Sequence, residues 1–154
     1  MGEVVVGATV TIPAPPERVW ELISDTSRYA EWVEGTAEVT RTDGPARQGS
    51  TYDEVNPLVG PWKARTRWTV TEYEPPRRQV HRGEGIPLAK EFFVEFELTP
   101  AGGGTEVRQT ITVHPAAGPL GTAFFRALRG QTERENRKSM ENFAELARRE
   151  LQPA

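Results

Sequence analysis

The strongest constraint on the fold lies in the last third of the chain. Residues 120–151 read LGTAFFRALRGQTERENRKSMENFAELARREL, with no proline and with good helix formers almost throughout. Apolar residues recur at Phe124, Phe125 and Leu128, then at Met140, Phe143, Ala144, Ala147 and Leu151. Spacings of three, four and seven put them on one stripe of an α-helix. At 1.5 Å per residue, one helix of that length runs roughly 45 Å, longer than most globular helices. Almost everything before it reads as strand. A long amphipathic rod must bury its stripe against that sheet, and function is expected in the space between them.

Residues 3–12 are rich in Val and Thr and alternate, with Val6, Ala8, Val10 and Ile12 on one face. Pro13, Pro15 and Pro16 stop this strand. The phrase PPERVWELIS then opens a helix, because a first turn has no use for proline's missing N–H. Asp25 or Thr26 can cap a second short helix through Tyr29 and Trp32. Strands follow over residues 35–42, 49–58, 62–73, 78–84, 89–99 and 105–114, separated by prolines and glycines. In the third of these, Trp62, Ala64, Thr66, Trp68 and Val70 face one way and Lys63, Arg65 and Arg67 the other. One dry and one wet face is the habit of an antiparallel sheet. In the last two, Phe92, Val94, Phe96 and Leu98, then Val107, Ile111 and Val113, point inward. Consecutive strands joined by tight turns pair antiparallel, and about seven twisted strands curl. The expected fold class is α+β. One domain, residues 1–154, wraps a curved antiparallel sheet of about seven strands around a long C-terminal helix. Two short helices separate strands 1 and 2.

Several function classes drop out. The net charge of −3 gives no electrostatic reason to bind nucleic acid. No apolar run approaches the roughly 20 residues that span a bilayer, so no transmembrane segment is expected. MGEVVVGATV lacks the basic start and cleavage pattern of a signal peptide. The absence of cysteine removes disulfides, thiolate zinc sites and cysteine nucleophiles, and fits a cytoplasmic protein. His81 and His114 have no second ligand at metal spacing, so neither metal nor cofactor is expected. Either histidine could serve as a general base, although structural roles are commoner.

The order of elements and several phrases resemble the START/Bet v1-like superfamily of helix-grip proteins (SRPBCC), in its polyketide cyclase/dehydrase-like branch. ATVTIPAPPERVWELISDTSRYAEW looks like the family's opening strand and paired helices. TRWTVTEYEPPRR looks like its fourth strand and turn, and FELTPAGGGTEV like its penultimate hairpin. The resemblance covers nearly the whole chain. It implies a hydrophobic cavity between helix and sheet, in a superfamily of cyclases, lipid and steroid carriers and hormone receptors.

Between Leu128 and Met140 the helix carries no large apolar residue, and its inner stripe lands on Thr132, Asn136 (or Glu135) and Ser139. Either this section roofs a cavity, with residues 120–128 covering its mouth, or Gly130 bends the helix and the section is solvated. The cavity candidates are Tyr52, Thr66, Trp68, Phe92, Val94, Phe96, Gln109, Phe124, Phe125, Leu128, Thr132 and Asn136. Glu54 and Arg82 are further polar groups that could point inward, and Tyr52 could orient or protonate a ligand oxygen. The expected function is binding of a small hydrophobic or amphipathic molecule, of lipid, polyketide or aromatic type. The alternative is a polyketide cyclase/aromatase-like enzyme that folds its substrate in the same cavity. The partners expected are that ligand and, in a possible homodimer, a second copy of the chain.

Overall fold

The structure, a computed structural model, describes residues 2–58 and 60–151. Its strands are β1 (Val4–Ile12), β2 (Glu38–Thr42), β3 (Thr51–Pro57), β4 (Lys63–Glu74), β5 (Arg78–Glu84), β6 (Ala89–Ala101) and β7 (Gly104–Pro115). They form one antiparallel sheet in the order β1-β7-β6-β5-β4-β3-β2, so only the first strand departs from chain order. Helices α1 (Pro16–Ile23) and α2 (Tyr29–Trp32) lie between β1 and β2. The chain ends in α3 (Gly118–Ala127) and α4 (Arg129–Glu150). This is the expected α+β helix-grip arrangement.

Register explains how the sheet bends. Pairing slips between Val39 and Arg41, between Val70 and Glu72, and between Ala89 and Glu91. Each slip is a bulge that adds local twist and closes the sheet toward its concave face. Ala101 pairs with Gly104, so Gly102-Gly103 is a two-residue turn, tighter than the loose hairpin the glycine run suggests. Their φ angles of 53° and 85° are the left-handed conformations such a turn requires.

The C-terminal rod is not one helix. It breaks at Leu128, whose φ and ψ are −87° and −3°. The hydrogen-bond ladder still passes through the break, from Leu128 N–H to Phe124 O at 3.1 Å and from Thr132 N–H to Leu128 O at 2.9 Å. Gly130 lies inside α4 and is not the hinge. The second half of α4 packs against β1 and α2. Met140, Phe143, Ala144 and Ala147 are buried there with Trp20, Trp32, Leu98 and Val107. These large side chains share one dense core, where each buried Phe or Leu contributes about 1.5–3 kcal/mol.

Trp62 departs from the alternation read in the sequence. It precedes β4 and is 73% exposed, whereas Ala64, Thr66, Trp68 and Val70 are buried as their parity requires. The Gly60-Pro61 turn ends the pleat one residue later than the pattern implies.

Candidate functional site

A cavity of about 240 Å³ lies between the concave face of the sheet and the first half of α4. Trp68 of β4 and Phe92, Val94 and Phe96 of β6 form its apolar floor. Trp68 stacks parallel to Tyr52, with ring centres 6.3 Å apart, and meets Phe92 edge-on at 5.7 Å. Gly83 of β5 makes this possible: a Cβ there would lie 2.8 Å from the Trp68 ring. Thr132, Glu135, Asn136 and Ser139 of α4 form the roof. Asn136 reaches the sheet only at Gln109, and the roof carries no Leu or Phe to fill the rest of the space. Asn136 and Ser139 are buried and Thr132 is half-buried, so this section roofs the hollow and is not simply solvated.

Nine of the sequence candidates line the cavity: Tyr52, Thr66, Trp68, Phe92, Val94, Phe96, Gln109, Thr132 and Asn136. Phe124, Phe125 and Leu128 do not, and residues 120–128 do not cover the mouth as expected. All three precede or sit at the break at Leu128, outside the α4 section that roofs the cavity. Phe125 packs instead with Val4 and Val113, a small cluster that also touches Phe92 and Ile111. Phe124 is 41% exposed and Leu128 half-buried. Arg82 also points away, its guanidinium 3.7 Å from both Glu84 and Glu91.

Two buried polar networks stand on the concave face. In the first, the Tyr52 hydroxyl lies 2.7 Å from His81 Nδ1, and His81 Nε2 lies 2.7 Å from Gln79 Oε1. Gln79 Nε2 donates to Ser24 Oγ at 2.9 Å. An amide oxygen only accepts, so Nε2 of His81 carries the proton and Nδ1 accepts from Tyr52. Burial pushes the His81 pKa down to about 3, so the ring is neutral. Tyr52 therefore spends its proton on His81 and is not free to protonate a ligand. Gln109 is likewise engaged by the protein, donating to Asn136 Oδ1, while Asn136 Nδ2 donates to the Gln109 carbonyl at 3.1 Å.

The second network surrounds Glu54 of β3, which lines the cavity and is 4% exposed. Thr36 Oγ1 donates to Glu54 Oε1 at 3.1 Å and Asn56 Nδ2 donates to the same oxygen at 3.2 Å. Burial raises the Glu54 pKa to about 7, opposed by hydrogen bonding from Asn56, Thr36 and the Trp68 indole. The direct partner of that indole is Thr66 Oγ1, at 2.9 Å. Glu54 thus sits at its point of half-ionisation near neutral pH, as an acid–base group in contact with a cavity. Sequence reading placed Glu54 among the inward polar groups but not among the site candidates. Its parity with Tyr52 on β3 was the available signal; Thr36, in the loop before β2, gave none.

Among the described residues no helix is long and apolar enough to cross a membrane, and no three His, Asp or Glu side chains gather as a metal site would require.

Residues 3–148 match the family model described as polyketide cyclase / dehydrase and lipid transport. The chain is 30% identical over 142 residues to the uncharacterized protein Rv1546 of Mycobacterium tuberculosis, covering 88% of this chain and 92% of that one. It is 30% identical over 141 residues to the toxin Rv0910 of the same organism, with the same shares covered. Among solved structures, the Zhui aromatase/cyclase of a Streptomyces species aligns with a TM-score of 0.77 at 20% identity, covering 97% of this chain and 96% of that one. Ara h 8.0201 aligns with a TM-score of 0.66 at 10% identity, covering 94% and 97%. At such identities the structural likenesses speak for the fold alone.

Proposed function

The chain belongs to the polyketide cyclase/dehydrase and lipid transport family, and on that premise we propose that it binds one small hydrophobic or amphipathic molecule between sheet and α4. The observation that carries this reading is the cavity itself, with an aromatic floor and a roof of short polar side chains. Apolar pockets with a few placed polar groups are the usual anatomy of small-molecule sites. An unfilled hollow of this size costs stability, which a bound guest restores. A cytoplasmic setting, expected from the cysteine-free sequence, belongs to the same reading.

The test is native mass spectrometry of the purified chain, followed by titration with an uncharged aromatic probe. One guest per chain is expected. Val94→Trp, which fills the cavity from β6, is expected to abolish binding while circular dichroism stays unchanged. Equal binding by a folded Val94→Trp variant would overturn the reading.

One observation favours a second reading, that of a cyclase-like enzyme. Glu54 adjoins the cavity with a pKa of about 7, suited to moving a proton at neutral pH. On that reading the cavity folds a polyketone chain and Glu54 exchanges a proton with it. Cyclisation of such a chain should then be faster with the protein than without, and slower with Glu54→Gln.

A further inference from the structure

The polar atoms that line the cavity are unequally used, and their imbalance specifies a guest. Both hydrogen bonds to the Glu54 carboxyl fall on Oε1. Oε2 accepts no aligned hydrogen bond among the described residues; the Trp68 indole acts on the carboxyl but aims its N–H at Thr66. Trp32 Nε1 is the one fully enclosed side-chain polar atom among them that lacks a partner. Oε2 is not such an enclosed atom, and Glu54 lines the cavity. Donors nearby are already aimed at the protein. Trp68 Nε1 donates to Thr66, the Thr66 hydroxyl donates to Asn56 Oδ1, and Asn56 Nδ2 also donates to Gly35 O at 2.8 Å. Farther along the cavity, Gln109 spends one of its two amide N–H groups on Asn136, and its Oε1 has no partner among the described residues.

Charge points the same way. Among the described residues, Glu54 and Glu135 line the cavity and no lysine, arginine or histidine does so. Arg65 and Arg67 stand beside Thr66 on β4 but project from the opposite, exposed face, where Arg67 pairs with Asp53. An anion taken into this space would meet carboxyl groups and find no counter-charge, the costliest form of burial. A guest that donates a hydrogen bond finds open acceptors.

Resting on the ligand-binding reading above, we propose that the cavity selects neutral or cationic guests carrying an O–H or N–H donor, docked on Glu54 Oε2, and rejects carboxylates, fatty acids included. The rejection strengthens as Glu54 ionises around pH 7. The titratable groups around it are Tyr52 on β3, Tyr29 on α2 and Glu135 on α4. Burial pushes both tyrosines well above their ordinary pKa and keeps them neutral. On β2 the residue in register is the uncharged Val39.

The test is calorimetric titration of the full chain with four probes of one shape: methylnaphthalene, naphthylmethanol, naphthylmethylamine and naphthoate. Titrations are run about one pH unit either side of the Glu54 pKa. At the higher pH the alcohol and the amine are expected to bind at least about tenfold more tightly than naphthoate. Glu54→Gln keeps an oxygen for the two existing donors and turns the open acceptor into an N–H donor. Naphthoate affinity should then rise about tenfold and lose its pH dependence. Naphthoate binding the unaltered chain as tightly as the alcohol would overturn the proposal and leave the cavity reading standing. Failure of all four probes, methylnaphthalene included, would overturn both. The unaltered chain alone decides these outcomes if Glu54→Gln does not fold.

Discussion

His81 and Glu54 stand on the same concave face and are almost equally hidden, at 0% and 4% exposed, yet their surroundings treat them differently. His81 is held at both ring nitrogens in a chain that runs from β3 through β5 to the end of α1. Glu54 is held at one oxygen only. Burial drives both toward neutrality, His81 by losing a proton and Glu54 by keeping one. A closed network of this kind fixes how elements pack. A network with one atom left over facing a hollow has something to offer a guest.

The comparison breaks most easily at His81. His81→Ala empties a fully buried site and strands the Tyr52 hydroxyl and Gln79 Oε1. A loss of about 3–5 kcal/mol is expected from urea denaturation. A loss under about 1 kcal/mol would mean the closed chain holds nothing together.

Next in size is the pH dependence of stability, in which the two groups act with opposite sign. Glu54 titrates near 7 in the folded chain against an ordinary 4.5. Its contribution is full below about 4.5 and is lost as pH rises through 7, at most about 3 kcal/mol. His81 titrates near 3 against an ordinary 6.5, so its contribution is full above 6.5 and is lost as pH falls through 3. Between about 4.5 and 6.5 the two slopes oppose, and stability should be nearly flat there. Denaturation midpoints across this range check it, and Glu54→Gln should remove the alkaline decline while sparing the acid one.

Tyr52→Phe sharpens the contrast from the closed side. It deprives His81 Nδ1 of its donor and is expected to cost about 1–3 kcal/mol, as read by urea denaturation. Thr36→Val sharpens it from the open side. Losing one of the two donors to Glu54 should cost about 0.5–1.5 kcal/mol and push the Glu54 titration higher, as read by carboxyl NMR.

The fold was largely legible because alternation and helical spacing are local. The strict parity of β4 placed Thr66 and Trp68 on the dry face, and the polar gap after Leu128 marked the roof. Phe124, Phe125 and Leu128 were misplaced because their stripe assumed one unbroken helix, and the break at Leu128 has no proline or glycine at that residue to announce it. Trp62 was misplaced because parity persists on paper past the point where a strand begins. The division of labour between Tyr52, His81 and Glu54 was not legible, since hydrogen-bond partners from β3, β5, α1 and the loop before β2 are distant in sequence.

By itself the sequence determined the antiparallel run of consecutive strands, the concave apolar face and the helix that covers it, while the pairing of β1 with β7 came from the tertiary structure. Periodicity and proline placement act over a few residues and leave few alternatives. Only the tertiary structure decided that the hollow stays open, that Tyr52 is spent on a histidine, and that Glu54 keeps one oxygen free. Those outcomes depend on side chains meeting across strands and helices, where ångström distances settle which polar groups find partners.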